Sequence, residues 1–393
     1  MSASTMTSHM RGLWLALATL AGLWGCAAPP TGVSVPEPPR VADARPRPPP
    51  LAVSAAARWI ATDWDALPGW TDDRFVPWWQ AWVQSCRRPA AGWGETCARA
   101  LLESPADEAA IRAFVVAWLQ PFRIESADGQ AEGLATGYFE PVLTASRQPR
   151  PGFAVAVHAA PADLAARRPH WTRQELDTVP AAQAALRGRE IAWIEDPLDL
   201  LLLQVQGSGR LSIAEPDGST QTLRVAFAGH NDHPFRSPAR WLIDQGELRA
   251  ESASWPAVRA WALQNPARQL ELLWANPRVV YFRAEPLPDP APGPRGAQGV
   301  PLTAGRSVAV DPTAVPYGTP LWLATTDPLA GTPLRRLVMA QDTGSAITGA
   351  VRVDYFWGAG EQALAAAGRM KHPLRLWALW PKGMPLPARV TGG

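Results

Sequence analysis

The chain has 393 residues, 47% of them apolar, enough at roughly 100–200 residues per domain for two domains with sizeable cores. Its 37 Lys and Arg residues nearly balance 35 Asp and Glu, which excludes the one-sided basic field that phosphate-backbone binding exploits, so no nucleic-acid partner is expected. Tryptophan occurs 20 times against 4 tyrosines, a supply of flat aromatic faces that fill cores or stack on sugar rings.

At the N-terminus Arg11 precedes a short apolar run over residues 12–25, the charge-then-hydrophobe layout of a secretory signal and too short for a stable membrane span. The run ends Leu23-Trp24-Gly25-Cys26, which resembles the bacterial lipoprotein lipobox, with an ordinary signal peptide as the alternative. Residues 1–26 are then a lipoprotein signal and Cys26 is the thiol that receives lipid. Ala27 in place of aspartate implies, by the same analogy, anchoring to the outer membrane facing the periplasm. Residues 27–56 are crowded with proline, among them Pro36, Pro38, Pro39, Pro46 and Pro48, and read as an extended tether. The two remaining cysteines, Cys86 and Cys97, are expected to form a disulfide in an oxidising compartment.

Trp78, Trp79, Trp82 and Val83 mark one face of a helix that leads into Cys86. A second helix is predicted to start at Ser104 as N-cap, with Pro105 at the first helical position and Asp107 three residues past the cap. Its stripe of Ile111, Phe114, Val115, Trp118 and Leu119 reads as core packing, and Pro121 ends it. Short apolar stretches bounded by glycine and proline follow at 200–205, 279–282, 307–310, 320–323 and 337–340, and read as strands, so the remainder is predicted mainly β. A proline-rich break over 285–299 separates structural units.

Three aspartates, Asp311, Asp342 and Asp354, follow strand-like runs near the C-terminus. Alternation along 351–356 puts Arg352, Asp354 and Phe356 on one face. Desolvation among aromatics and a charged Asp342 raise the pKa of Asp354, as a proton donor requires, whereas Arg352 opposes the rise; spacing leaves the winner open. Turn chemistry at Asp342-Thr343-Gly344 gives these aspartates a structural alternative. Two rival sites are weaker. His230, Asp232 and His233 have a spacing that zinc could use, but the other histidines lie in unrelated contexts, and no metal is expected. Ser208 lies between glycines, yet Gln206 stands where a nucleophile elbow requires glycine.

The three-aspartate segment resembles the C-terminal domain of the membrane-bound lytic murein transglycosylase A family. Thr136-Gly137-Tyr138-Phe139-Glu140-Pro141 is similar to a signature of that family, as are 187–210, Gly229-His230-Asn231-Asp232-His233-Pro234-Phe235-Arg236 and Asn276-Pro277-Arg278-Val279-Val280-Tyr281-Phe282. The motifs run in family order, and the resemblance covers 59–382, with Asp232 standing where glycine is usual. It implies a mainly β fold with N-terminal helices. A double-psi β-barrel is formed by 57–141 and 288–385, a β-rich domain is inserted over 142–287, and glycan lies in a groove between them with 136–138 facing 206–210. The implied activity is lytic cleavage of the β-1,4 bond between N-acetylmuramic acid and N-acetylglucosamine in peptidoglycan, leaving 1,6-anhydromuramoyl ends. Asp354 is then the single acid and base, Asp342 and Asp311 support it, and Thr136, Gly137, Tyr138, Gln206, Gly207, Ser208, Gly209, Arg210, Gly344 and Trp357 bind substrate. No cofactor is implied. Peptidoglycan strands are the expected partner, with other cell-wall enzymes as potential ones. The alternatives are a two-carboxylate hydrolase pairing Asp354 with Asp342, and a non-catalytic lipoprotein that only holds peptidoglycan.

Overall fold

A computed structural model describes residues 57–387 apart from Ser104, Ala106 and Pro216. The signal segment, Cys26 and the tether therefore lie outside the described residues, and among those described no helix is long and apolar enough to cross a membrane.

The chain enters as strand β1 (Ala57–Ala61) and then forms helices α1 (Phe75–Cys86), α2 (Gly94–Glu103) and α3 (Glu108–Trp118), followed by β2 (Leu119–Ser126) and β3 (Gly133–Glu140). Trp78, Trp79 and Trp82 of α1 are buried against Phe114 of α3 and the barrel core, so these indoles are packing residues rather than sugar platforms. A disulfide joins Cys86 to Cys97, tying the end of α1 to α2. The N-cap of α3 is Asp107, whose side chain accepts from Ala110 N at 2.8 Å. The helix thus starts one turn later than the Ser104-Pro105 pattern predicts, because the capping oxygen that closes its first turn is Asp107's; Ser104 is outside the described residues.

After Pro141 come β4 (Val142–Ser146), β5 (Val155–His158), α4 (Arg173–Thr178), α5 (Pro180–Leu186), β6 (Glu190–Ile194), α6 (Pro197–Gln206), β7 (Ser208–Ala214), β8 (Thr220–His230), α7 (Pro238–Asp244), α8 (Trp255–Gln264), α9 (Gln269–Trp274) and β9 (Val280–Pro286). The apolar stretch 200–205, expected as a strand, lies within α6. Local chemistry decides this: Asp196 caps the helix by accepting from Leu198 N, Pro197 occupies its first turn, and Gly207 at φ 78° closes it in the left-handed region. The continuous apolar run is explained by burial on several sides. Leu203 packs in the core of the second sheet, whereas Leu198 and Leu201 pack against α7, α8 and α9. The predicted β content of this stretch is accordingly diluted by six helices.

The chain ends with β10 (Ser307–Ala309), β11 (Pro320–Thr326), β12 (Pro333–Asp342), β13 (Arg352–Ala359), α10 (Glu361–Ala367) and β14 (Lys371–Pro381). Strands β14, β11, β12, β10, β13 and β3 pair in that order, and β3 pairs back onto β14, closing a six-stranded barrel; β2 and β1 extend from β14. The closed barrel, the second sheet, of order β5-β6-β4-β7-β8-β9, and the N-terminal helices agree with the architecture that the family resemblance implies. The chain crosses from barrel to second sheet at Pro141 and returns after β9. Buried polar groups fix the barrel exterior. Gln341 Nε2 donates to Ala81 O and Ser85 Oγ of α1 at 2.9 and 2.8 Å, and Arg306 pairs with Asp73 at 2.6 Å.

Candidate active site

Barrel register assembles the aspartates. Asp354 of β13 is paired with Thr136 of β3 on one side and Ala309 of β10 on the other, and Ala309 is in turn paired with Asp342 of β12. With neighbouring strands about 4.8 Å apart, the two aspartates are about 10 Å apart at the backbone, with Ala309 on the strand between them, where the β10–β12 register shifts.

Asp354 is largely buried. Its Oδ1 accepts from Thr136 Oγ1 at 2.6 Å, and among the described residues no other side chain or amide bonds to its carboxyl. Burial raises its pKa to about 6, ahead of the hydrogen bond from Thr136 and the charge of Arg352, which both lower it; nearby Asp342 raises it further. The competition between desolvation and Arg352 thus goes to desolvation. Arg352 directs Nη1 to the backbone carbonyls of Val353 and Leu134, and burial lowers its own pKa.

Asp342 is held differently. Its Oδ2 accepts from Tyr138 Oη at 2.9 Å and its Oδ1 from Ala297 N at 3.0 Å. Burial nevertheless raises its pKa against these hydrogen bonds. Tyr138 stays a neutral donor, because burial and then the two aspartates push its pKa well up. Its ring lies 5.2 Å from Phe356, the aromatic that shares the Asp354 face. Asp311 is committed to loop geometry: Oδ1 accepts from Thr313 N and Oγ1, and Oδ2 accepts from Gly349 N at 2.7 Å, which pins the loop leading into β13. Gly344 lies in that loop, where an added Cβ would stand 3.2 Å from Ile347.

Several residues expected to touch substrate are placed otherwise. A Cβ on Gly137 would meet Trp357 Nε1 at 2.7 Å and Ala367 Cα at 2.9 Å, so this glycine lets the Trp357 ring lie on β3. Trp357 packs beside Tyr355 and α10, and donates to Met370 Sδ at 3.3 Å; strand alternation puts it on the face opposite Asp354. Gln206, Gly207, Ser208, Gly209 and Arg210 do not face 136–138 across a gap. They form the end of α6 and the start of β7, bonded directly to the end of β3. Phe139 N donates to Gln206 Oε1 at 3.0 Å, and Arg210 N to Pro141 O at 2.7 Å. A Cβ on Gly209 would stand 2.3 Å from Leu203, a close approach within the protein. The cause is β4, which leaves Pro141 directly and pairs in parallel with β7 from Val142↔Arg210 onward.

Glu140, quoted in the motif with no role assigned to it, is fully buried. It accepts from Arg210 Nε at 2.7 Å and from Arg224 Nε and Nη2 at 2.7 and 3.2 Å, and Arg224 also donates to Pro292 O at 2.6 Å. Arg210 is therefore an ion-pair residue. No local pattern reveals this triad, since its members are 70 and 84 residues apart. Ala309 and Ala297 escape sequence reading for the same reason. Asp232 sits at φ 59°, the one non-glycine residue at positive φ among the described residues, which accounts for glycine being usual there. His230 and His233 turn to different partners, Asp232 and His170 O, and no cluster of metal-ligating side chains occurs among the described residues.

Residues 134–283 match the MltA specific insert domain, and residues 306–380 match the 3D domain. Over 279 residues the chain is 32% identical to a membrane-bound lytic murein transglycosylase A of Vibrio cholerae, spanning 69% of this chain and 71% of that protein. Lytic transglycosylase LtgG of Burkholderia pseudomallei is a similar solved structure at 42% identity and TM-score 0.58, covering 84% of this chain and 97% of that one. MltA of E. coli, solved with bound chitohexaose, is similar at 27% identity and TM-score 0.63, covering 77% and 89%. Matching insert and 3D domains in sequence order, with this identity across most of a named relative, place the chain in the membrane-bound lytic murein transglycosylase A family.

Proposed function

We propose that this chain is a lytic transglycosylase that cleaves the β-1,4 bond between N-acetylmuramic acid and N-acetylglucosamine in peptidoglycan, with Asp354 as its single acid and base. The observation that carries the reading is the burial of Asp354 on a barrel rung beside Asp342, which raises its pKa to about 6. At neutral pH about a tenth of the molecules then hold the proton, a usable fraction for a general acid. Asp354 gives this proton to the glycosidic oxygen as the bond to the muramoyl anomeric carbon breaks. The resulting carboxylate then takes the proton of the muramoyl 6-hydroxyl, whose oxygen bonds to the same anomeric carbon and closes a 1,6-anhydro ring. No water is consumed, and the nucleophile belongs to the substrate, which gives it a high effective concentration.

Asp342 serves as a fixed charge that adds, after burial, to the rise in the Asp354 pKa. The hydrogen bonds from Tyr138 and Ala297 hold Asp342 in one orientation, which suits a fixed charge, and a two-carboxylate hydrolase is the alternative that the digestion below separates. The glycan lies along the junction of the two sheets, bound by Thr136 and Tyr138 of β3, while Gln206 and Ser208 at the α6–β7 turn support that strand rather than the ligand. The E. coli relative that binds chitohexaose supports a glycan ligand. In domain terms, 57–141 and 288–385 form the barrel and 142–287 the insertion, a division supported by the sheet crossings at Pro141 and after β9. Cys26 carries the lipid that anchors the chain to the outer membrane, as the membrane-bound name of its relatives supports. Digestion of purified sacculi tests the activity: anhydromuramoyl ends support it, hydrated reducing ends indicate a hydrolase, and unchanged glycan a binding protein.

A further inference from the structure

Strand β3 is a spine that serves both halves of the chain. Thr136 bonds Asp354, Tyr138 bonds Asp342, Phe139 N bonds Gln206 of α6, and Glu140 bonds Arg210 of β7 and Arg224 of β8. Glu140 is 0% exposed, and its carboxylate is shared by two guanidiniums. Arg224 extends the cluster to Pro292 O, on the segment by which the chain returns to the barrel. The triad therefore clasps the outgoing crossing, the returning one and two strands of the second sheet at one point, four residues beyond the rung of Asp354. A charge cluster buried this deeply costs desolvation that apolar residues would avoid, so its value lies in directional fixing.

We propose that Glu140 is a positioning residue which, through Arg210 and Arg224, sets the second sheet at its working distance from Asp354 and so governs glycan capture rather than proton transfer. The inference rests on the glycan-cleaving reading above. Arg210→Gln is the informative variant, because Arg224 still pairs with Glu140 when the Arg210 charge is gone. Rates on soluble, peptide-free glycan strands should show KM raised about tenfold, kcat within about threefold of the parent, and an unmoved pH profile. Arg210→Lys, which keeps a cationic donor for the single Nε bond, should restore KM. Thermal melting confirms folding of both, and Glu140→Gln should raise KM in the same direction. An unchanged KM in folded Arg210→Gln, or a fall in kcat with a displaced pH profile, overturns the inference alone. A parent chain that leaves the glycan uncut removes the reading beneath it as well.

Discussion

Replacing Asp354 by Asn keeps the side-chain shape and the acceptor for Thr136 Oγ1 but removes the titrating proton. Folding raises the pKa of Asp354 from 3.8 to about 6. The folded chain thus keeps a proton that the unfolded chain has already lost, so stability that is complete below about pH 4 declines as pH rises through about 6. A gap of about two pH units is worth about 3 kcal/mol at 1.36 kcal/mol per unit, and solvent reaching the partly buried carboxyl reduces this to about 1–3 kcal/mol. Asn carries no such penalty. Urea unfolding followed by tryptophan fluorescence should show Asp354→Asn about 1–3 kcal/mol more stable than the parent at pH 8 and nearly equal to it at pH 4. The same variant should release anhydromuramoyl ends from sacculi about a hundred- to ten-thousand-fold more slowly, the usual contribution of general acid–base catalysis. A stability difference independent of pH would refute the desolvated-acid argument, and a folded variant within about tenfold of parental activity would remove Asp354 from the mechanism.

Thr136→Val deletes a donor that favours the Asp354 carboxylate, so the alkaline limb of kcat/KM should move up by roughly one pH unit; a limb that stays put or moves down contradicts the assignment. Asp342→Asn removes the like charge that helps Asp354 hold its proton, so that limb should move to lower pH with turnover still measurable, and complete inactivity of a folded variant would instead favour a two-carboxylate mechanism. Cys26→Ser should abolish incorporation of labelled palmitate without changing the melting temperature, and equal labelling of both proteins would exclude Cys26 as the lipid acceptor.

The β class of the barrel, the Trp-rich helix ahead of Cys86 and the candidate aspartates were legible in the sequence because each is a local pattern: alternation, helical spacing, turn chemistry and motif order. The strand expected at 200–205 became a helix because Asp196, Pro197 and Gly207 cap it and because packing on several sides accepts an unbroken apolar run. The protonation preference of Asp354 is a tertiary property. It depends on how much water the closed barrel removes, set against one hydroxyl and one guanidinium, and these energies depend on three-dimensional distance and burial. The same holds for the Ala309 rung and for the Glu140 triad, whose parts come from strands far apart in the chain. Residue types and spacing thus determined which carboxylates were available and which segments bore them. Strand register alone decided which were brought together, because a one-residue slip sends every side chain to the opposite face.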